Sequence, residues 1–208
     1  MELHLKELAG PLLGWATDDP RWPRLAQYLS RVQEAGVPLV SRGDRERLVE
    51  RHLMPSLEAL AFVAQDGCLI DVGSGGGFPA LPLAFARPHL SVLCIESNSR
   101  KAAFLRRVSR ETELGNVQVI ESRAEDLATA HNHSADYLTA RAVADFPKLL
   151  AQTARFLKRD GRWILYKGQS WRREGSLNGW GVHLVEERTL SDGSRLLLLA
   201  PIESGTLP

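Results

Sequence analysis

Two cysteines in 208 residues are too few for a disulfide framework. Cys68 and Cys94 each fall inside an apolar, strand-like run, where a thiol packs as a small buried side chain. No apolar run approaches the length of a membrane span, so no membrane partner is expected. The first seven residues lack the apolar core of a secretion signal, which makes a reducing cytoplasm the expected compartment. Internal repeats and low-complexity segments are absent, which removes solenoid architectures. His131 and His133 have no third ligand nearby, so no metal site is expected. Neither sign of charge is in excess: 26 Lys and Arg against 25 Asp and Glu give a net +1, and the interest lies in clustering. The length allows one domain, or one domain with an extension.

What the chain does have is one dense stretch, Cys68-Leu69-Ile70-Asp71-Val72-Gly73-Ser74-Gly75-Gly76-Gly77-Phe78-Pro79. Its apolar start reads as a buried parallel strand. An acid and four glycines follow, then a crossover helix from Ala80 to Ala86. Strand, glycine turn and helix open a nucleotide-binding α/β unit. Glycine there permits φ > 0 and lets a ligand approach backbone with no Cβ in the way. A dinucleotide fingerprint needs a third glycine five positions after the first. Phe78 occupies that position, followed by Pro79. With an acid two residues before Gly73, the pattern suits a ligand without pyrophosphate, such as S-adenosylmethionine. A plain turn with no ligand is the alternative.

Residues 1–62 carry helical periodicity and form an N-terminal helical extension; residues 63–208 alternate strand and helix. In the extension, Leu3, Leu5, Leu8, Leu12 and Leu13 predict a first helix, and Leu25, Tyr28, Leu29 and Val32 a second, with Pro23 at its start. Asp44 is expected to cap a third, with Leu48, Val49, Leu53, Leu57, Leu60 and Ala61 inward. Its other face would carry Arg42, Arg45, Arg47, Arg51 and His52, as a solvated face or an RNA contact. In the second part, Leu90 to Ile95 is a strand ending at Glu96, 23 residues after Gly73. That spacing lets a carboxylate accept both ribose hydroxyls; a surface acid is the bland alternative. A helix from Ser99 to Glu113 leads to a strand at Val117 to Ile120. Glu121 to Asp126 then either reads an adenine edge or caps a helix. A fourth strand, Tyr137 to Ala140, runs into Arg141, expected to pair with ligand or substrate rather than with a structural acid. A helix from Leu149 to Leu157 and a strand from Trp163 to Tyr166 follow, ending at Lys167. Trp171, Arg172, Arg173, Asn178 and Trp180 suggest a loop for stacking a base and holding a phosphate. Val182 to Val185 and Leu196 to Leu199 read as an antiparallel pair around Ser191-Asp192-Gly193.

The expected fold is therefore α/β, with seven strands, five parallel and the last two a hairpin. It resembles the class I S-adenosylmethionine-dependent methyltransferase, a Rossmann-like fold with a mostly parallel sheet. Five motifs in order are closer still: the glycine stretch from Asp71 to Pro79, Ser99-Arg100-Lys101-Ala102-Ala103-Phe104-Leu105, Ser122-Arg123-Ala124-Glu125, Ala140-Arg141-Ala142-Val143-Ala144 and Tyr166-Lys167-Gly168-Gln169. Together they resemble the small-subunit ribosomal RNA guanine-N7 methyltransferases, the glucose-inhibited division protein B family, over residues 45–200 or so. Pro55 stands where that family usually has an aspartate, Pro38-Leu39-Val40-Ser41 where it has an asparagine-led motif, and Ala80 where it has a glycine. The resemblance implies methylation of N7 of a guanine in the 530 loop of 16S rRNA. It also implies cofactor contacts at Gly73, Phe78, Ala124, Glu125 and Arg141, with Glu96 joining them by its spacing. Guanine N7 carries a free lone pair, so no general base is needed; Arg141 and Lys167 are the expected substrate contacts. The expected partner is 16S rRNA or the small-subunit particle, and the expected state a monomer. The alternatives are another RNA target, or a non-catalytic RNA-binding module that would lack an intact cofactor site. A nicotinamide oxidoreductase is a further rival; it would want a glycine at Phe78 and a catalytic Tyr-Lys pair.

Overall fold

The computed structural model describes residues 2–141, 146–174 and 177–202. Seven strands form one sheet: β1 (Asp66–Val72), β2 (His89–Glu96), β3 (Val117–Glu121), β4 (Ala135–Arg141), β5 (Leu157–Lys167), β6 (Val182–Thr189) and β7 (Arg195–Pro201). Their order is β3-β2-β1-β4-β5-β7-β6. The first five pair in parallel; β7 runs antiparallel to β5, and β6 antiparallel to β7. This matches the expected parallel core with a closing hairpin. The chain reverses its direction of strand addition between β1 and β4, which opens a crevice at their carboxyl ends.

Alternate residues of each central strand serve opposite faces. Leu69, Val92 and Cys94 join an apolar cluster on one face, while Ile70, Leu93 and Ile95 join another on the far face. The first face is covered by α4 (Ala80–Ala86) and α5 (Ser99–Glu111) and by the extension. The extension contributes α1 (Glu2–Leu13), α2 (Arg21–Gln33) and α3 (Met54–Glu58). Leu5, Trp22, Leu25, Tyr28 and Leu29 are all buried there in the same cluster as Leu69. Residues 2–61 thus share their apolar contacts with the sheet. Helix α6 (Phe146–Thr153) and Phe156 cover the far face.

Several expectations change. Leu3 and Leu12 are exposed on α1, whose buried side rests on Leu5 and Ala9. The predicted helix after Asp44 is broken into a 3-10 turn (Arg42–Arg47), a π turn (Val49–Leu53), α3 and a second 3-10 turn (Ala59–Ala61). Asp44 lies inside the first turn and accepts from Ser41 Oγ instead of capping a helix. Pro55 fits the boundary at Met54: it has no N–H to offer a preceding carbonyl, and it stands in the first turn of α3, where proline is tolerated. Leu157 does not end a helix; α6 stops at Thr153, and Leu157 opens β5 opposite Ala135. Cys68 is only half-buried, whereas Cys94 is enclosed.

Candidate active site

The parallel register brings the strand ends into line. Val72 sits beside Ile95 and Ala140, and Glu96 beside Glu121. Over this edge the glycine turn folds back on β2: the amides of Gly73 and Ser74 donate to the Ile95 carbonyl at 2.9 and 3.2 Å. Gly73 and Gly77 adopt φ of +74° and +95°, a region that side chains other than glycine rarely enter. Their surroundings differ. A Cβ on Gly77 would lie 2.7 Å from Leu81 Cγ, so that glycine serves packing. A Cβ on Gly73 would meet nothing within 4 Å. Gly73 lines a cleft of about 330 Å³, and no protein atom fills the space beside it. That volume lies within the ordinary range for small-molecule sites.

Glu96 supports the turn from below. Its carboxylate accepts from the Gly75 amide and from the Asn98 amide, each at 2.8 Å, and it is almost wholly buried. Asn98 in turn caps α5, accepting from the amides of Arg100 and Lys101. Each carboxylate oxygen keeps a further lone pair, the chemistry that accepts ribose hydroxyls. Beneath the turn, Asp71 is buried; its Oδ1 accepts from Thr139 Oγ1 at 2.6 Å, while Oδ2 has no hydrogen-bond partner. Burial pushes its carboxyl up to about 6, against the pull of the Thr139 hydrogen bond.

The extension supplies the opposite wall. Leu39, Ser41 and His52 line the cleft, and Tyr28 donates its hydroxyl to the Gly76 carbonyl at 2.9 Å. Phe78 is sandwiched between Tyr28 and His52, with ring centroids 5.3 and 5.1 Å away. His52 does not lie on a solvated basic face. Its Nε2 stands 3.3 Å from Asp44 Oδ2 without hydrogen-bond alignment. Burial and the neighbouring Arg141 hold its ring down to about 4, so it is neutral at pH 7.

Arg141 lines the cleft but is not free of structural partners. Its Nη2 donates to the Arg51 carbonyl at 2.7 Å. It also lies 3.6 Å from Asp192 Oδ2 on the β6–β7 turn. That acid is 51 residues away in sequence, which is why the chain alone did not show it. Gly73, Phe78 and Arg141 therefore share one cleft, with Glu96 joined to its floor through Gly75. Ala124 and Glu125 stand on the next turn, tied to the same edge by the Ser122 amide donating to the Glu96 carbonyl at 3.2 Å. Arg155 Nη2 braces that turn on the carbonyls of Ala124, Glu125 and Leu127. Lys167 is buried at the end of β5, opposite Arg195. Ala142, Val143 and Ala144 lie outside the described residues.

The aromatic-basic loop is not a stacking surface at Trp171. That ring is buried in the far-face cluster, its Nε1 donates to Glu187, and Arg172 pairs with the same acid. Only the backbone of Asn178 is described. Two larger hollows, of about 360 and 480 Å³, lie around Glu113 to Gly115 at the amino end of β3. Ligands of open parallel sheets bind at the other end, where the glycine turn stands. Sequence reading had His52 in a basic run, as a solvated face or an RNA contact, and missed Tyr28, Ser41 and Asp192; no local signal marks these three, because each is brought in by packing of separate elements.

The cleft fits an adenosyl methyl donor: an open glycine at φ > 0, an acid under the second strand end, and an aromatic side wall. Comparison with known proteins agrees. The family profile described as rRNA small subunit methyltransferase G (GidB) matches residues 21–180. The protein of that name from Acidothermus cellulolyticus is 40% identical over 150 residues, which are 71% of this chain and 66% of that one. The chain thus spans about two thirds of that relative's length. The namesake from Pseudothermotoga lettingae is 32% identical over 202 residues, covering 94% and 88% of the two chains. Among solved structures, a SAM-dependent methyltransferase from Aquifex aeolicus aligns with a TM-score of 0.63 at 14% identity, covering 76% of this chain and 94% of that one; this is a likeness of fold. With the profile spanning well over half the chain, this protein belongs to the rRNA small subunit methyltransferase G family of S-adenosylmethionine-dependent methyltransferases.

Proposed function

We propose that the chain methylates N7 of a guanine in the 530 loop of 16S rRNA, acting as a cytoplasmic monomer on free rRNA or on the small-subunit particle. The observation that carries this reading is the open space at Gly73, walled on one side by the glycine turn and on the other by the extension. S-adenosylmethionine supplies a sulfonium-bound methyl group there. Gly73 leaves room for its amino-acid end, Glu96 holds the ribose, and the turn at Ala124 and Glu125 meets the adenine. Phe78 forms the wall beside it. Residues 63–208 carry most of the donor's contacts, while residues 1–62 close one wall of its cleft, past which the RNA enters.

Guanine N7 attacks with an in-plane lone pair, so no proton leaves beforehand and no side chain acts as base. The protein's contribution is alignment of N7 with the methyl carbon and the sulfur. Its second contribution is electrostatic, toward a purine that becomes cationic. Arg141 would repel that charge if unpaired; its contact with Asp192 and the two backbone carbonyls offsets it. Lys167, the other expected contact, is buried at the end of β5 and is given no RNA contact in this reading. N7 is hidden in the deep groove of an RNA helix, so a looped-out base is the substrate.

The test is mass spectrometry of 16S rRNA from a strain lacking the gene. Loss of one 7-methylguanine from the 530 loop, restored by the wild-type gene, is expected. An unchanged methylation map would refute the reading, and loss at another nucleotide would favour a different RNA target.

A further inference from the structure

Among the described residues, several buried polar atoms have no hydrogen bond. Of these, only the two ring nitrogens of His52 belong to a side chain that lines the cleft, and turning the ring gives up the loose 3.3 Å approach of Nε2 to Asp44 Oδ2. The 14% of the side chain still accessible is therefore carried by carbon. A half-turn about the Cβ–Cγ bond exchanges the nitrogen and carbon positions of an imidazole. It would set the nitrogens where Cδ2 and Cε1 now stand and keep the ring plane against Phe78. Position matters too. The strand order puts Glu96 on one side of β1 and Arg141 on the other. Were the ribose held at Glu96, a donor extending across β1 would bring its reactive end toward β4, where the His52 carbonyl accepts from Arg141.

We propose that the His52 ring turns as the target base enters and donates an N–H hydrogen bond to guanine O6, making it a base-selecting residue. This rests on guanine N7 being the methyl acceptor. O6 lies next to N7 and accepts, whereas N7 itself must stay unengaged to attack. Adenine offers an amino donor at that position, so the contact discriminates between the two purines. A neutral donor also suits a purine gaining positive charge better than a guanidinium does. Burial and Arg141 keep this imidazole neutral.

The test compares small-subunit particles carrying guanine or 2-aminopurine at the target; 2-aminopurine keeps N7 and lacks O6. Single-turnover methylation by the wild type should be about 10- to 100-fold slower on 2-aminopurine, the scale of one lost hydrogen bond. His52→Phe keeps the ring against Phe78 and should lose a similar factor on guanine, with no further loss on 2-aminopurine. His52→Gln restores a donor and should recover most of the rate. Both variants should keep the wild-type circular dichroism spectrum and a cooperative thermal unfolding, which reports an intact fold, and rates are taken at saturating S-adenosylmethionine so that a change in donor affinity does not enter. Full wild-type rate on 2-aminopurine overturns the proposal without any variant. So does a 2-aminopurine penalty that persists in His52→Phe. If the wild type methylates no guanine of the particle, the functional reading itself fails and this proposal falls with it.

Discussion

Replacing Asp71 by asparagine should stabilise the protein at neutral pH, and should do so in a defined pH window. The carboxyl is buried beneath the glycine turn with one oxygen bonded to Thr139 and the other without a partner. Burial raises its proton affinity from an ordinary 3.8 to about 6. The folded state therefore binds more protons than the unfolded state between those values. Stability from this group is fully present below 3.8 and is lost as the pH rises to about 6. At ~1.4 kcal/mol per pH unit, the loss is about 3 kcal/mol. Asparagine keeps an acceptor for Thr139 and cannot ionise. Its amide takes the place of an acceptor oxygen, which costs up to about 1–3 kcal/mol at every pH, less where the Ser74 hydroxyl accepts from it. The constant offset and the titrating part are separable by urea denaturation of both proteins from pH 4 to 8. The difference curve should rise toward the variant between pH 4 and 6 and be flat above. Parallel curves across that range would refute a raised Asp71.

Further outcomes follow from the same contacts. Glu96→Gln leaves one acceptor oxygen for two backbone amides and removes the charge. Calorimetry should show S-adenosylmethionine binding weakened about tenfold or more, and an unchanged affinity would remove the ribose role. Gly77→Ala places a Cβ 2.7 Å from Leu81 Cγ at a φ of +95°. It should lower unfolding free energy by roughly 2–4 kcal/mol in urea; a loss below about 0.5 kcal/mol would show that the turn relaxes freely. RNA binding should weaken linearly on a log–log salt plot, and a flat plot would count against electrostatic backbone contact.

The sheet was legible because its strands are buried apolar runs closed by acids and glycines, signals that burial and backbone geometry write locally. Gly73 and Glu96 were legible for the same reason: the turn and the spacing are local. His52 was not. Its neighbours Arg45, Arg47 and Arg51 made it read as one of a basic run, and only its position in the π turn and the packing of Phe78 carry it into the cleft. Arg141 was half legible: its strand-end position was readable, but Asp192 arrives through the β6–β7 turn. Trp171 misled because aromatic and basic residues alternate there, while the large ring gains more from burial than from waiting for a base.

The central claim is that the cleft beside Gly73 delivers a methyl group to an already nucleophilic purine nitrogen. Its most direct measurement uses purified protein, labelled S-adenosylmethionine and small-subunit particles from the gene-deleted strain, with the labelled nucleotide mapped by mass spectrometry. One 7-methylguanine per particle, within the 530 loop, is the predicted result; label on an exocyclic amine, on a ribose or on no nucleotide would contradict it.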